Sequence, residues 1–116
     1  MIELPEFDTG EYEGSEFLMT DGDARLTINI TDQMPFVIAF SRIRWHEFTA
    51  LYNCTADKIS DSYFRLHEVV PSPRLKTFLA SDSAACKAYR ELHHYRIFLD
   101  ETGCHEIFAE SARVGA

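Results

Sequence analysis

The chain has 116 residues, of which 46% are hydrophobic and 13% aromatic, and its formal net charge is −8. This length fits one domain, and such a chain buries roughly two thirds of its unfolded surface. No apolar stretch approaches the ~20 residues that span a bilayer, and no segment has the basic excess that nucleic-acid binding needs. We therefore predict a single domain over 1–116 with no membrane or nucleic-acid partner.

The negative charge is concentrated at the N-terminus. Residues 1–23 contain eight acidic side chains and no Lys or Arg, whereas residues 24–116 contain eleven acidic and eleven basic side chains, which cancel. Uncompensated carboxylates steer basic partners towards a protein. Charge runs are also typical of solubilising or loosely ordered termini, which is the alternative interpretation.

The first elements are an irregular segment and a hairpin. Residues 1–14 show no sustained hydrophobic period, so we predict an irregular acidic arm with one short strand around 2–4. Strands over 16–20 and 23–31 then flank Asp21-Gly22, a dipeptide that favours the positive φ angles of a two-residue hairpin turn. The register that follows pairs Met19 with Ala24 and Phe17 with Leu26.

The middle of the chain is organised around one apolar run. Residues 36–40 are all apolar and rich in aromatic and β-branched side chains, which predicts a strand buried on both faces in the middle of a sheet. Alternation in 42–49 favours one long, bent strand. Helical spacing of the aromatic and apolar residues in 45–52 leaves a helix over 42–53 as the alternative.

The rest of the chain predicts a helix and a second hairpin. A polar loop with one helical turn over 54–62 precedes a strand over 63–70, and Ser72-Pro73 is typical of a helix start. The helical pattern covers 73–93 as one helix or as two that break at Asp82, with His93-His94 in the last turn. Strands 94–100 and 104–111 follow, joined by the loop 101–103 with Gly103 left-handed, so that Asp100 pairs with Cys104 and Ile97 with Ile107. Residues 112–116 are predicted as a tail.

These elements predict an α+β fold. It consists of a mostly antiparallel sheet of five or six strands, formed by two hairpins plus a central strand. One long or two short helices pack on one face of this sheet.

Three histidines each precede a glutamate and are the candidates for an enzyme. Imidazole and carboxylate are metal-ligand and acid–base groups, but their spacing matches no metal motif. Solvated residues on the faces of the sheet are the alternative interpretation, and we predict no metal or other cofactor. The three histidines are His46, His67 and His105.

The acidic N-terminal segment is the main functional candidate. We expect a small protein-binding domain, immunity-like or regulatory, that engages a basic protein through this segment. In size, acidity and α+β pattern the chain is similar, at the level of class, to bacterial immunity proteins that neutralise toxin domains. The predicted partner-binding residues are Glu6, Asp8, Glu11, Tyr12, Glu13 and Glu16.

Two alternatives come from different classes of protein. One is a small-molecule or metal-dependent enzyme, in which the three histidines converge under the helix. The other is a homodimer formed through an exposed sheet edge. Three cysteines without CxxC spacing, and no visible secretory signal, favour a cytoplasmic protein.

Overall fold

A computed structural model describes residues 2–81 and 91–115. Within these residues, nine strands form two antiparallel sheets. The α+β class with antiparallel pairing is therefore confirmed, whereas the single sheet of five or six strands is wrong. One sheet has the order β1-β6-β7-β8-β5 and the other the order β2-β3-β4-β9. The strands are β1 (Ile2–Glu3), β2 (Tyr12–Thr20), β3 (Asp23–Ile30), β4 (Phe36–Ser41), β5 (Trp45–Ala50), β6 (Arg65–Glu68), β7 (His93–Leu99), β8 (Gly103–Ala109) and β9 (Ser111–Gly115).

The two sheets pack face to face around one apolar core. Alternate residues of β3 and β4, among them Leu26 and Phe40, lie in this core, and alternate residues of β7 and β8, among them Ile97 and Ile107, pack against them. This arrangement is a β-sandwich, in which each strand presents every second side chain inward. The predicted central strand is interior to its sheet, but only its inner face is fully buried, because Val37 and Ala39 are half-exposed.

The chain changes sheets at two adjacent corners. After β4 the residues Arg42–Arg44 turn the chain into the other sheet, with Arg42 at a φ of 53°. At Glu110 the chain turns back, and the Glu110 amide donates to the carbonyl of Ser41 (3.0 Å). The prediction of one long strand through residues 42–49 is therefore wrong, although 45–50 is a strand, as favoured over a helix. The predicted tail at 112–116 is also wrong, because 111–115 forms β9.

The N-terminal segment is part of the sandwich and not a loose arm. Strand β1 pairs with β6, which agrees with the short strand predicted around 2–4. Phe7 packs edge-to-face against Phe36 and Phe64, with ring centroids 5.2 and 5.4 Å apart. β2 already begins at Tyr12, four residues earlier than predicted. The predicted irregular segment with one short strand therefore agrees with residues 2–11, and it is wrong for residues 12–14, which belong to β2.

In the described part of the chain, two α-helices lie over the outer face of the five-stranded sheet. They are α1 (Ala56–Ser60) and α2 (Pro73–Ser81), and Phe78 of α2 contacts Phe108 of β8 at 5.2 Å between ring centroids. The hydroxyl of Ser72 accepts from the Leu75 amide (3.1 Å), which confirms the predicted helix start. The predicted break at Asp82 lies outside the described residues. His93 and His94 open β7 and do not close a helix, so their predicted place in a last helical turn is wrong.

The two hairpins differ in how well their sequences specify register. Asp21 and Gly22 both have positive φ, and the predicted pairs of the first hairpin are observed. In the second hairpin Ile97 pairs with His105 and not with Ile107, so the register differs by two residues from the prediction. Ile97 and Ile107 still lie on the same face of the sheet, because a shift of two residues preserves the alternation of side chains.

Strand β5 passes so close to Gly103 that a side chain does not fit there, and we expect its replacement to lower the stability of the fold. Gly103 has a φ of 146°, and a Cβ atom there would overlap the carbonyl oxygen of Thr49 on β5. Gly103→Ala is expected to lower the free energy of unfolding by about 1–3 kcal/mol, measured by urea denaturation. Gly115→Ala is the control, because nothing lies within 4 Å of its added Cβ. An equal loss in both variants would contradict this account.

Candidate functional site

A buried carboxylate lies at the centre of the outer face of the five-stranded sheet, under the helices. Glu106 on β8 is 1% exposed, and its Oε1 accepts from Nε2 of His94 (3.0 Å) and from Nε of Arg96 (3.2 Å) on the paired strand β7. Its Oε2 accepts no well-aligned hydrogen bond from the described residues and is held by charge. Nζ of Lys58 lies 3.0 Å from this oxygen, and Arg74 reaches to 3.7 Å.

The charge of Glu106 is maintained by these neighbours. Burial alone raises the pKa of a carboxyl group, because it removes water from the charged form. The contacts with His94 and Lys58 and the positive charge of Arg96 outweigh burial and lower the pKa of Glu106 to about 2. The side chain is therefore an anion at neutral pH, shielded from solvent by two helices.

His94 connects this carboxylate to a serine. The imidazole is 2% exposed, its Nε2 faces Glu106, and its Nδ1 lies 2.6 Å from Oγ of Ser72. Ser72 is half-buried and lines a cavity of about 260 Å³ between the end of β6 and α2. A hydroxyl, an imidazole and a carboxylate are thus joined in one line that begins at a cavity.

A pair of imidazoles lies on the other face of the five-stranded sheet, which packs against the four-stranded sheet. Nε2 of His46 is 3.0 Å from Nδ1 of His105, and the ring of Phe17 stacks on His46 at 3.9 Å between centroids. Burial and the neighbouring His46 lower the pKa of His105 to about 4, and burial lowers the pKa of His46. Both rings are therefore neutral at pH 7, and one donates to the other.

His67 does not join this pair. It pairs with Arg96, which places it on the helix-covered face, whereas His46 and His105 face the other sheet. The prediction that all three imidazoles meet is therefore wrong, and the two that do meet lie away from the helices. Within residues 2–81 and 91–115, no group of three or more His, Cys, Asp or Glu side chains could hold a metal ion.

The N-terminal segment lies against the second hairpin turn. Oη of Tyr12 lies 2.7 Å from Oγ1 of Thr102, which joins the start of β2 to the turn between β7 and β8. One surface cavity is lined by Glu13 and Glu101 together, and another by residues 9, 10, 12, 100 and 101. We call this surface the acidic end, and it comprises Glu13, Asp100 and Glu101.

Two tyrosines adjoin the acidic end. Tyr63 is partly exposed, and its hydroxyl donates to Oδ2 of Asp100 (3.2 Å). Tyr52 is 95% exposed and follows Leu51, whose amide donates to the carbonyl of Thr102. Aromatic rings of this kind are enriched in protein interfaces.

The predicted partner-binding residues do not all reach the acidic end. Glu13 belongs to it, whereas Glu11 is exposed at the end of the turn before β2 and Glu16 is exposed farther along β2. Glu6 is exposed, and Asp8 is exposed but accepts from the amide of Gly10. Tyr12 is half-buried and packs edge-to-face against Phe64, so its ring belongs to the core.

Comparison with known proteins gives no identification. No family model, curated protein or solved structure matches this chain. Neither helix in the described ranges has the length and apolar character needed to cross a membrane.

Sequence reasoning missed the line from Ser72 through His94 to Glu106. Ser72 was predicted only as a helix cap, and His94 was placed at the end of a helix that extended too far. One local signal was present, because His94 and Arg96 alternate with the apolar residues Tyr95 and Ile97, as in a strand with one polar face. The contact with Ser72 joins residues 22 positions apart, and no local pattern encodes it.

Proposed function

We propose that this chain is a small protein-binding domain, immunity-like or regulatory, that engages a basic protein surface through its acidic end. The observation that carries the proposal is the juxtaposition of Glu13 with Glu101, which adds the carboxylates of the second hairpin turn to those of the N-terminal segment. Concentrated negative charge accelerates encounter with a basic partner. The setting proposed for this interaction is the cytoplasm.

The surface has a fixed geometry, which favours recognition. The hydrogen bond between Tyr12 and Thr102 ties the two acidic segments together, and Phe7 anchors the chain before them in the core. A preorganised surface loses less conformational entropy on binding than a disordered tail does. Tyr52 offers an exposed ring next to Leu51, whose amide bonds to Thr102 of the second hairpin turn.

The test is binding by charge-neutralised variants of the full chain. Deletion of residues 1–16 would be uninformative, because it removes core side chains and part of β2. Glu13→Gln with Glu101→Gln removes two charges from the acidic end. Asp21→Asn with Glu91→Gln removes two exposed charges at the opposite ends of the same strands, β2 and β7, and is the matched control.

We expect the acidic-end variant to bind its partner roughly three- to tenfold more weakly at low salt, and the control to bind as the wild type does. The partner is captured from lysate, identified, purified and titrated calorimetrically at low and high salt. A captured protein without a basic surface, or equal affinity of both variants, would contradict the proposal.

The histidine-dependent enzyme and the homodimer stay proposals with less support. The direct contact of His46 with His105 is the one observation that favours the histidine enzyme, and His67 takes no part in it. A homodimer would form through a sheet edge, and the edge strands are β1 and β5 in one sheet and β2 and β9 in the other. Sedimentation of the purified chain tests that alternative.

A further inference from the structure

We infer that Ser72, His94 and Glu106 form a hydrolytic site for small carboxylic esters, with Ser72 as the nucleophile. This inference is independent of the proposed partner binding, because it concerns the helix-covered face of the five-stranded sheet and not the acidic end. Its support is geometric. The serine hydroxyl lies 2.6 Å from the imidazole, the imidazole lies 3.0 Å from the carboxylate, and the serine lines a cavity.

The carboxylate fixes the proton position on His94. Oε1 of Glu106 is an acceptor, so the neutral imidazole places its hydrogen on Nε2 and leaves Nδ1 free to accept from Ser72. A serine bonded to a base that is itself oriented by a carboxylate is the arrangement that activates a hydroxyl. Glu106 acts through His94 and is therefore a positioning residue.

A backbone amide at the start of α2 stabilises negative charge on Oγ of Ser72. The amide of Leu75 donates to Oγ of Ser72, so this oxygen already receives one N–H as its proton moves towards His94. Pro73 contributes no amide hydrogen, whereas Arg74 lies in the first helical turn, whose amides have no partner within the helix. We expect the Arg74 amide to receive the developing oxyanion of a substrate.

The reaction balances with water as the co-reactant. Oγ of Ser72 bonds to the carbonyl carbon of the ester while its proton passes to Nδ1 of His94. The carbon–oxygen bond to the alcohol then breaks, and the alcohol leaves with that proton. Water attacks the acyl-serine with His94 as base, which releases the carboxylic acid and restores the serine hydroxyl.

The cavity defines the class of substrate. Its volume of about 260 Å³ is below the range of cavities that hold drug-sized ligands. The wall is mostly aliphatic, with one acidic and one basic side chain, which suits a short, uncharged acyl chain. The lining residues besides Ser72 and His94 are Glu68, Val69, Val70, Leu75, Lys76 and Leu79.

The experiment uses a fluorophosphonate, which labels activated serines covalently, and p-nitrophenyl butyrate as the ester. The full chain is expected to give a single adduct on Ser72, identified by mass spectrometry, and to release p-nitrophenol. Ser72→Asn keeps a helix-capping side chain but has no hydroxyl, and is expected to lose the adduct and at least about a hundredfold in rate. Ser81→Ala removes an exposed hydroxyl on the same helix and is the matched control.

The readout separates catalysis from folding. Circular dichroism first establishes that Ser72→Asn is folded at the assay temperature. Glu106→Asp, which retains the carboxylate, is expected to keep more of the labelling rate than Glu106→Gln when both are compared below their melting temperatures. No adduct on the folded wild-type chain, an adduct on another residue, or unchanged labelling in Ser72→Asn would overturn the inference.

Discussion

Glu106→Gln is expected to lower the free energy of unfolding by about 3–5 kcal/mol at pH 7. The glutamine would leave Lys58 and Arg96, which are 22% and 15% exposed, without the anion between them. Removing one partner of a buried ionic cluster costs this much because the remaining charges cannot regain their hydration. Urea denaturation monitored by tryptophan fluorescence provides the measurement.

Glu110→Gln is the matched control for this prediction. Glu110 lies four residues farther along the chain and pairs with Arg42, whose side chain is 58% exposed. Exposed ion pairs contribute about 0–1 kcal/mol, so the control is expected to lose no more than that. A comparable loss in both variants would show that the cluster around Glu106 contributes no special stability.

Lowering the pH should remove the stabilisation that the charged Glu106 provides. The pKa of Glu106 falls from an ordinary value of 4.5 to about 2 on folding, which corresponds to roughly 3 kcal/mol. Because the folded value is the lower one, this stabilisation is fully present above pH 4.5 and is lost as the pH falls towards 2. Glu106→Gln should therefore show a smaller loss of stability over that window than the wild type does.

The lowered pKa of His105 predicts a separate loss of stability at milder acidity. Its pKa falls from 6.5 to about 4 in the folded protein, because the ring is buried between the sheets beside His46. The unfolded chain takes up a proton near pH 6.5 and the folded chain does not, so acid favours unfolding. We expect a loss of roughly 3 kcal/mol between pH 7 and pH 4 from this residue.

The test compares the change in unfolding free energy between pH 7 and pH 4 in three proteins. His105→Phe removes the titrating ring and should reduce the loss relative to the wild type. Phe48→Leu perturbs a neighbour on the same face without removing a titrating group, so it should keep the full loss. An unchanged loss in His105→Phe would mean that the acid sensitivity arises elsewhere.

Local rules account for the parts of the fold that the sequence predicts. Asp21-Gly22 determines the first hairpin because its turn type requires positive φ at both positions, and the register then follows from counting. Ser72-Pro73 determines the start of α2 because the cap and the proline act within one turn. In both cases the deciding interactions join residues only a few positions apart.

The second hairpin shows where local rules fail. Gly103 has the positive φ expected of a turn residue, which led to its assignment to the loop. Its actual constraint is the backbone of β5, which approaches too closely for any side chain. The turn instead places Glu101 at a φ of 65°, with its amide bonded to Asp100. A contact between strands that are distant in sequence therefore shifted the register.

The candidate sites also depend on contacts between residues that are distant in sequence, so only the tertiary structure shows them. Sequence alone determined the acidic N-terminal charge, the antiparallel strands and which face of each hairpin is apolar. Which sheet a strand joins depends on the corners at Arg42 and Glu110, where backbone hydrogen bonds connect residues about 70 positions apart. Those corners divide the strands between two sheets. Within the five-stranded sheet, the strand pairing places His67 on the face opposite to His46 and His105. Ser72 meets His94 on the helix-covered face of that sheet. Such contacts depend on the packing of whole sheets, which hydrophobic periodicity within one segment does not encode.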